Sequence, residues 1–308
     1  MAGHGWERWR QRVRPRLFLR RLSARLARPP YGRLPAAVVN GFPKGGTHLL
    51  VRCVAVLGGV QRQDFFLHYK TGEELNLPPV PAGGEGIPQG IGEPRLIPRE
   101  GIERVLSSLW AGEFAVGHIP YSSGFEELLQ GHRLRMLFIL RDPRDAVISL
   151  LYFILSHPDS ARQWHLTRTL HTPEEQVLAV ISGFETTNER GRIRLRNIGD
   201  RLASVMPWLK VPLNYTTRFE RLVGPQGGGS EEAQHEEIAN IGRHAGLSLT
   251  PEQIREVATK LFGQGSMTFR RGQIGSWREH FNNEHKAAFK KIAGQYLIEL
   301  GYERDLNW

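Results

Sequence analysis

The chain has 308 residues, 40% of them hydrophobic, and a formal net charge of +10. That length allows one large core or two smaller domains, and a single cysteine, Cys53, excludes an intrachain disulfide and leaves no Cys/His cluster for a structural zinc. The charge is concentrated: residues 1–30 hold nine arginines against one acid, Glu7, and the remainder balances 32 basic against 30 acidic residues. The basic character therefore belongs to an arm, and the body is not expected to bind nucleic acid.

In the arm, arginines alternate with Trp6, Trp9, Val13, Leu17, Phe18, Leu19, Leu22 and Leu26 before Pro29-Pro30. Three readings are open: a segment lying on anionic lipid with Trp and Leu dipping in, a solvated basic tail, or a helix packed on the body. No apolar run reaches the length of a bilayer span, since the longest, Leu49 to Val60, is interrupted by Arg52. A cleaved secretory signal is not expected either, so the location expected is cytoplasmic, with the arm as a peripheral membrane contact.

From Ala36 the chain reads AAVVNGFPKGGTHLL. An apolar strand, a glycine turn and a helix from about His48 to Leu57 follow one another. Two glycines let the backbone fold tightly and gather its N–H groups, and the helix adds the positive end of its dipole. With Lys44, the turn suits a phosphate or sulfate group, although an ordinary strand-to-helix turn has the same local signature. The nucleoside triphosphate loop places its lysine after the glycines, whereas Lys44 precedes Gly45, Gly46 and Thr47.

Residues 70–100 have a proline or glycine every few positions, which predicts a long irregular segment acting as a lid or site wall. A short helix is expected from Ile102 to Trp110, a buried strand from Glu113 to Gly117 and a helix capped by Ser122 or Ser123. Leu134–Leu140 is the clearest strand, and Pro143 then starts a helix running to Leu155. Residues 156–171 are expected to be irregular, with helices after Thr172 and over Ile193–Trp208, then a strand over Pro212–Thr217. Helices near Glu231–Ala245, Pro251–Phe262 and Glu284–Leu300 complete the chain. Strands alternating with helices predict an α/β fold, a parallel sheet flanked by helices on both faces. Ligands bind at the carboxyl ends of such strands, and Lys44, His118 and Arg141 each follow a predicted strand directly.

Three segments together resemble the PAPS-dependent sulfotransferase family, as a divergent branch with a P-loop-like fold. FPKGGTHLL is similar to the family's 5′-phosphosulfate loop, LFILRDPRDAVISLLYF to its 3′-phosphate segment, and FRRGQIGSWREHF, Phe269 to Phe281, to its R-K-G-x-x-G-D-W-K motif. RFERL, from Arg218, resembles a weaker fourth element. The resemblance spans about residues 36–301 and implies one sulfotransferase domain, residues 31–308, behind the arm. It implies that Lys44, Gly45, Gly46, Thr47 and His48 hold the 5′ side of PAPS, and that Arg141 and Ser149, with Arg270, Arg271 and Gly272, hold its 3′ phosphate. Phe219 stands near adenine. His118 matches the family's catalytic histidine and is expected to be the base, Lys44 the stabiliser of the leaving group, and Glu113 a substitute base. No metal is required.

The chain departs from the family pattern at several positions. Leu49 replaces a tryptophan that stacks on adenine, His48 a hydroxyl residue, Gly45 a serine, Phe219 a tyrosine and Ser276 an aspartate. The implied reaction moves a sulfonate to a hydroxyl or amine of a small-molecule, lipid or glycan acceptor. The alternatives are a nucleotide-dependent kinase on a related fold and a nucleotide- or glycan-binding module without catalysis.

Overall fold

A computed structural model describes residues 29–62, 66–68, 70–81, 84–158, 160–188, 191–261 and 272–308. The arm up to residue 28, and Arg270 and Arg271, lie outside the described residues.

Five strands form one sheet: β1 (Ala37–Gly41), β2 (Val60–Gln61), β3 (Glu113–Gly117), β4 (Arg135–Leu140) and β5 (Asn214–Arg218). Their order is β2-β3-β1-β4-β5, and every pairing is parallel. β1, β3 and most of β4 are buried on both faces, which is why they read as unbroken apolar runs. Successive side chains of a strand point to opposite faces. Val38, Ala115, Met136 and Phe138 accordingly join one core with helices Arg99–Ser107, Ser123–Gly131, Pro143–Leu155 and Asn283–Glu299. Val39, Val116, Leu137 and Ile139 join the other, under helices Thr47–Val56, Glu231–His244 and Pro251–Leu261.

The register aligns the exits. Asn40 lies opposite Gly117, Gly41 opposite Ile139, and Leu140 opposite Arg218. Phe42, His118, Arg141 and Phe219 therefore leave neighbouring strands along one rim of the sheet.

Three stretches depart from the expected pattern. Within residues 70–100, Gly86–Gln89 and Arg95–Pro98 pair as an antiparallel hairpin. A two-stranded ribbon has only edges, so Pro88 and Pro98 do not forbid it. Residues 156–171 contain a helix, Ala161–Arg168, whose first turn is capped where the Gln163 amide donates to Ser160 Oγ at 3.0 Å. The single helix expected over Ile193–Trp208 is replaced by a strand, Gly191–Leu195, paired with Phe184–Asn188, then a short helix, Ile198–Ala203, and a 3₁₀ turn, Met206–Lys210. Ile193 and Leu195 are buried while Gly191 and Arg192 are exposed, a period of two that breaks the helical reading. Asn197 then caps the helix by accepting from the Asp200 amide at 2.8 Å. Among the described residues, no helix is long and apolar enough to cross a membrane.

Candidate active site

The glycine turn fills the exit of β1. The Phe42 amide donates to the Ile139 carbonyl at 3.0 Å and the Gly45 amide to the Phe42 carbonyl at 2.7 Å, closing the turn on itself. Gly46 has φ +102°, and a Cβ there would lie 2.8 Å from the Phe219 ring, so only glycine fits. Lys44 also adopts a left-handed backbone, φ +64°, a conformation of about 1–2 kcal/mol strain for a non-glycine residue. Helix Thr47–Val56 begins directly after Gly46. The amides of Gly46, Thr47 and His48 donate to no acceptor among the described residues, and Thr47 Oγ1 is buried with no partner. The sequence assigned Gly45 to this row of donors. Its amide is committed inside the turn, so the row begins one residue later.

His118 stands across from this row. Its Nδ1 donates to the Gly41 carbonyl at 2.6 Å, which assigns the proton to Nδ1 and leaves Nε2 as an acceptor. The Phe66 ring meets it edge-on at 5.2 Å. Burial pushes its pKa down to about 4, so the imidazole is neutral at physiological pH. Asn40, buried and not anticipated from the sequence, sets this position. Its amide donates to the Ile119 carbonyl at 2.9 Å, and its Oδ1 accepts from the amides of Ile119 and Gly41, each at 2.9 Å. One side chain thus ties the ends of β1 and β3 together beside the histidine. Lys44 Nζ lies 4.3 Å from the centre of the Phe153 ring. Burial, with the nearby charge of Arg141, pushes its pKa down to about 8. Burial and Lys44 likewise lower His48.

Arg141 leaves β4 and turns back over the Phe219 ring, 4.5 Å from its centre. Its Nη2 donates to the Gln273 carbonyl at 2.6 Å and to Asp145 at 3.3 Å, while its buried Nε has no partner among the described residues. Asp145, fully buried, does more than form the ion pair with Arg141 that their spacing in the sequence allows. It accepts from the Gly275 amide at 2.8 Å, Ser276 Oγ at 3.0 Å and the Trp277 amide at 2.9 Å. One carboxylate therefore pins the 272–277 segment against helix Pro143–Leu155 and orients Arg141. Ser276, which stands where the family has an aspartate, serves this anchor. Arg144, by contrast, is held by Asp142 and Glu303 and stacked against Trp277 and Trp308, at 4.0 and 4.5 Å from their ring centres.

These groups open into one cavity of about 580 Å³, within the range of small-molecule sites. Lys44, Gly46, Thr47, His48, His118, Arg141, Ser149, Phe219 and Gly272 all line it, and Gly45 does not. Leu49, Val223 and Leu261 add apolar wall beside Phe219. Beyond Lys44 and His118 the cavity continues between Phe66, Gly90–Glu93, Phe153, Arg162, Leu195 and Arg201. Arg201 was also not anticipated. Glu113, expected as a substitute base, lies at the opposite end of β3 from His118, where it accepts from the Trp110 amide and pairs with Arg62. It does not line the cavity, because the two ends of a five-residue strand face opposite rims of the sheet.

The orphaned Thr47 Oγ1 and Arg141 Nε, with the three open amides, make a donor set suited to anionic oxygens at two separate places. Neither any protein-family model nor any curated protein matches the chain in sequence. Solved structures do match it. The mouse sulfotransferase SULT7A1 complexed with PAP superposes with a TM-score of 0.54 at 12% identity, over 87% of each chain. Retinol dehydratase with androsterone and the inactive cofactor PAP gives 0.50 at 14% identity, over 85% of this chain and 80% of that one. The same enzyme with retinol and PAP gives 0.50 at 15% identity, over 85% and 81%. A central parallel sheet flanked by helices is common to them, and the chain has the sulfotransferase fold.

Proposed function

We propose that this protein moves a sulfonate group from PAPS to a hydroxyl or amine of an acceptor, by in-line transfer with His118 as base. The observation that carries this reading is the His118 ring. Its Nδ1 is fixed on the Gly41 carbonyl and its Nε2 is left as an acceptor in a cavity shared with Lys44 and three open amides.

PAPS, when bound, supplies a sulfonate activated by its phosphate leaving group. The amides of Gly46, Thr47 and His48 bind the 5′ side through preorganised donors. The Lys44 ammonium opposes the negative charge that develops there, and its partial burial makes that interaction stronger than it would be in water. Arg141, with Ser149, Gly272 and the two arginines at 270 and 271, binds the 3′ phosphate through a planar fork. Phe219, Leu49 and Val223 enclose the base. His118 Nε2 takes the proton of the acceptor hydroxyl. Its depressed pKa keeps it free to do so, and the charge of a bound anion raises its basicity. The acceptor, a small molecule, lipid or glycan, lies between the 86–98 hairpin and helix Ala161–Arg168. The location is cytoplasmic, with residues 1–30 against an anionic membrane surface.

The test is transfer of label from sulfur-labelled PAPS to a panel of hydroxylated acceptors, run beside γ-labelled ATP with magnesium. Label is expected from PAPS alone, and His118→Ala should lower turnover by about 10²- to 10⁴-fold with PAP affinity retained. Transfer from ATP and none from PAPS would move the protein to the kinase class. Full turnover in His118→Ala would remove the base.

A further inference from the structure

Arg201 sits on helix Ile198–Ala203 and is 1% exposed, yet it lines the cavity. Its Nε donates to the Asn197 carbonyl at 3.3 Å and its Nη2 to the Val180 carbonyl at 2.8 Å. Among the described residues its Nη1 has no acceptor and no carboxylate pairs with it. Buried guanidinium groups are ordinarily paired, because stripping water from an isolated charge is expensive. The acid that lines the same wall, Glu93, is already engaged by Arg162 at 3.2 Å. Burial, and the charge of Arg162, lower the Arg201 pKa to about 9, which leaves the group cationic at neutral pH.

The position of this cation relative to the chemistry is fixed by backbone contacts. The Gly90 amide donates to the His118 carbonyl at 3.1 Å, so the strip Gly90–Glu93 runs from the histidine to the Arg162 pair. The Tyr121 amide donates to the Ser204 carbonyl at 2.7 Å, which holds the helix of Arg201 against the segment that follows His118. Ile91, Phe153 and Leu195 add apolar wall in this part, and His68 lines it beside Phe66.

We propose that the acceptor is an apolar molecule carrying, apart from its reacting hydroxyl, an oxyanion group (a carboxylate, sulfate or phosphate), and that Arg201 is the residue that receives this group. The inference rests on the acceptor site proposed above and names the class of its occupant. An arginine fork matches the planar or tetrahedral oxygens of such groups and supplies charge-assisted bonds. An unpaired buried cation with an open nitrogen is thereby completed by ligand, as a buried ion pair would be by protein.

The test is calorimetric titration of ω-hydroxyalkanoates, from hexanoate to hexadecanoate, each beside its primary amide, into the protein with and without saturating PAP. Matching ω-hydroxyalkyl sulfates and phosphates tell which anion fits best. At the best length the anionic member should bind about 10- to 100-fold more tightly than the amide. In Arg201→Met that preference should fall to within about threefold, with Arg201→Lys intermediate. No preference in any anionic series, or the same preference in Arg201→Met, overturns the proposal. Should Arg201→Met fail to fold, phenylglyoxal modification of the wild-type protein decides. The anionic ligand must shield Arg201, mapped by mass spectrometry, and the amide must not; equal modification overturns the proposal. The reaction class fails separately. If PAP does not bind while the anion preference persists, the sulfotransferase reading is wrong and the anion site stands. If PAP binds and labelled sulfonate passes equally to acid and amide, the reverse holds.

Discussion

Two buried arginines, Arg144 outside the cavity lining and Arg201 within it, are treated in opposite ways. At the exit of β4, Arg144 bonds Asp142 and Glu303 and packs on two tryptophan rings. Burial works against its charge, but those two carboxylates hold its pKa above the ordinary arginine value. Arg141 stands between the two cases, since it shares Asp145 but lines the cavity with its Nε unpartnered among the described residues. On the hairpin side Arg201 is as deeply buried, has only backbone carbonyls as partners among the described residues, and is pushed down to about 9. A guanidinium with every nitrogen engaged by the fold, as in Arg144, is a brace, whereas one that keeps a nitrogen open beside the cavity has capacity left for a ligand. The difference separates arginines that hold the site together from those that meet a ligand.

Substitution of each arginine by methionine tests that difference most severely. Arg144→Met strands two carboxylates and should cost about 3–5 kcal/mol of unfolding free energy. Arg201→Met removes an uncompensated charge, which offsets the loss of its bonds to the Asn197 and Val180 carbonyls, and should change stability by about 1 kcal/mol or less. Urea denaturation measures both, and equal losses would erase the comparison.

A smaller effect is expected at Asn40, the splice between β1 and β3. Asn40→Ala leaves the amides of Gly41 and Ile119 without their acceptor and should cost about 1–3 kcal/mol. Turnover should fall more than PAP affinity does, because the substitution frees His118 and leaves the open amides in place. Equal loss of both would make Asn40 a purely structural residue.

The smallest effect is on pH dependence. With His118 near 4 and Lys44 near 8 in the free protein, kcat/KM requires the first neutral and the second charged. It should rise as pH passes about 4, stay level, and fall above about 8. Lys44→Arg, which keeps its charge throughout this range, should lose the alkaline limb. An alkaline limb unchanged in that variant would assign it to another group.

The two sides of the cavity were also unequally legible in the sequence. β1, β3 and β4 are buried on both faces, so each appears as an apolar run with a chemical residue directly after it. Periodicity alone therefore brings Lys44, His118 and Arg141 to one rim. The hairpin side gives no such signal. Gly86–Gln89 and Arg95–Pro98 are half-buried ribbons with prolines, and Ile193–Leu195 is too short an alternation to separate from the helix that follows it. Asn40, and the anchoring of the 272–277 segment by Asp145, escaped for a different reason. Each acts through bonds to distant backbone, at separations of 79 and about 130 residues, and nothing local announces such partners. Arg201 lies inside a stretch read as one long helix, where an arginine is an unremarkable surface residue.

The central claim is that the turn and Arg141 grip a nucleotide phosphorylated at both ends. Calorimetric titration of adenosine 3′,5′-bisphosphate and of 5′-AMP into the wild-type protein and Arg141→Ala tests it directly. The bisphosphate should bind at least about 10-fold more tightly than 5′-AMP, and Arg141→Ala should bring the two towards parity. Equal affinity of the two nucleotides for the wild-type protein, or a preference untouched by Arg141→Ala, would contradict the account.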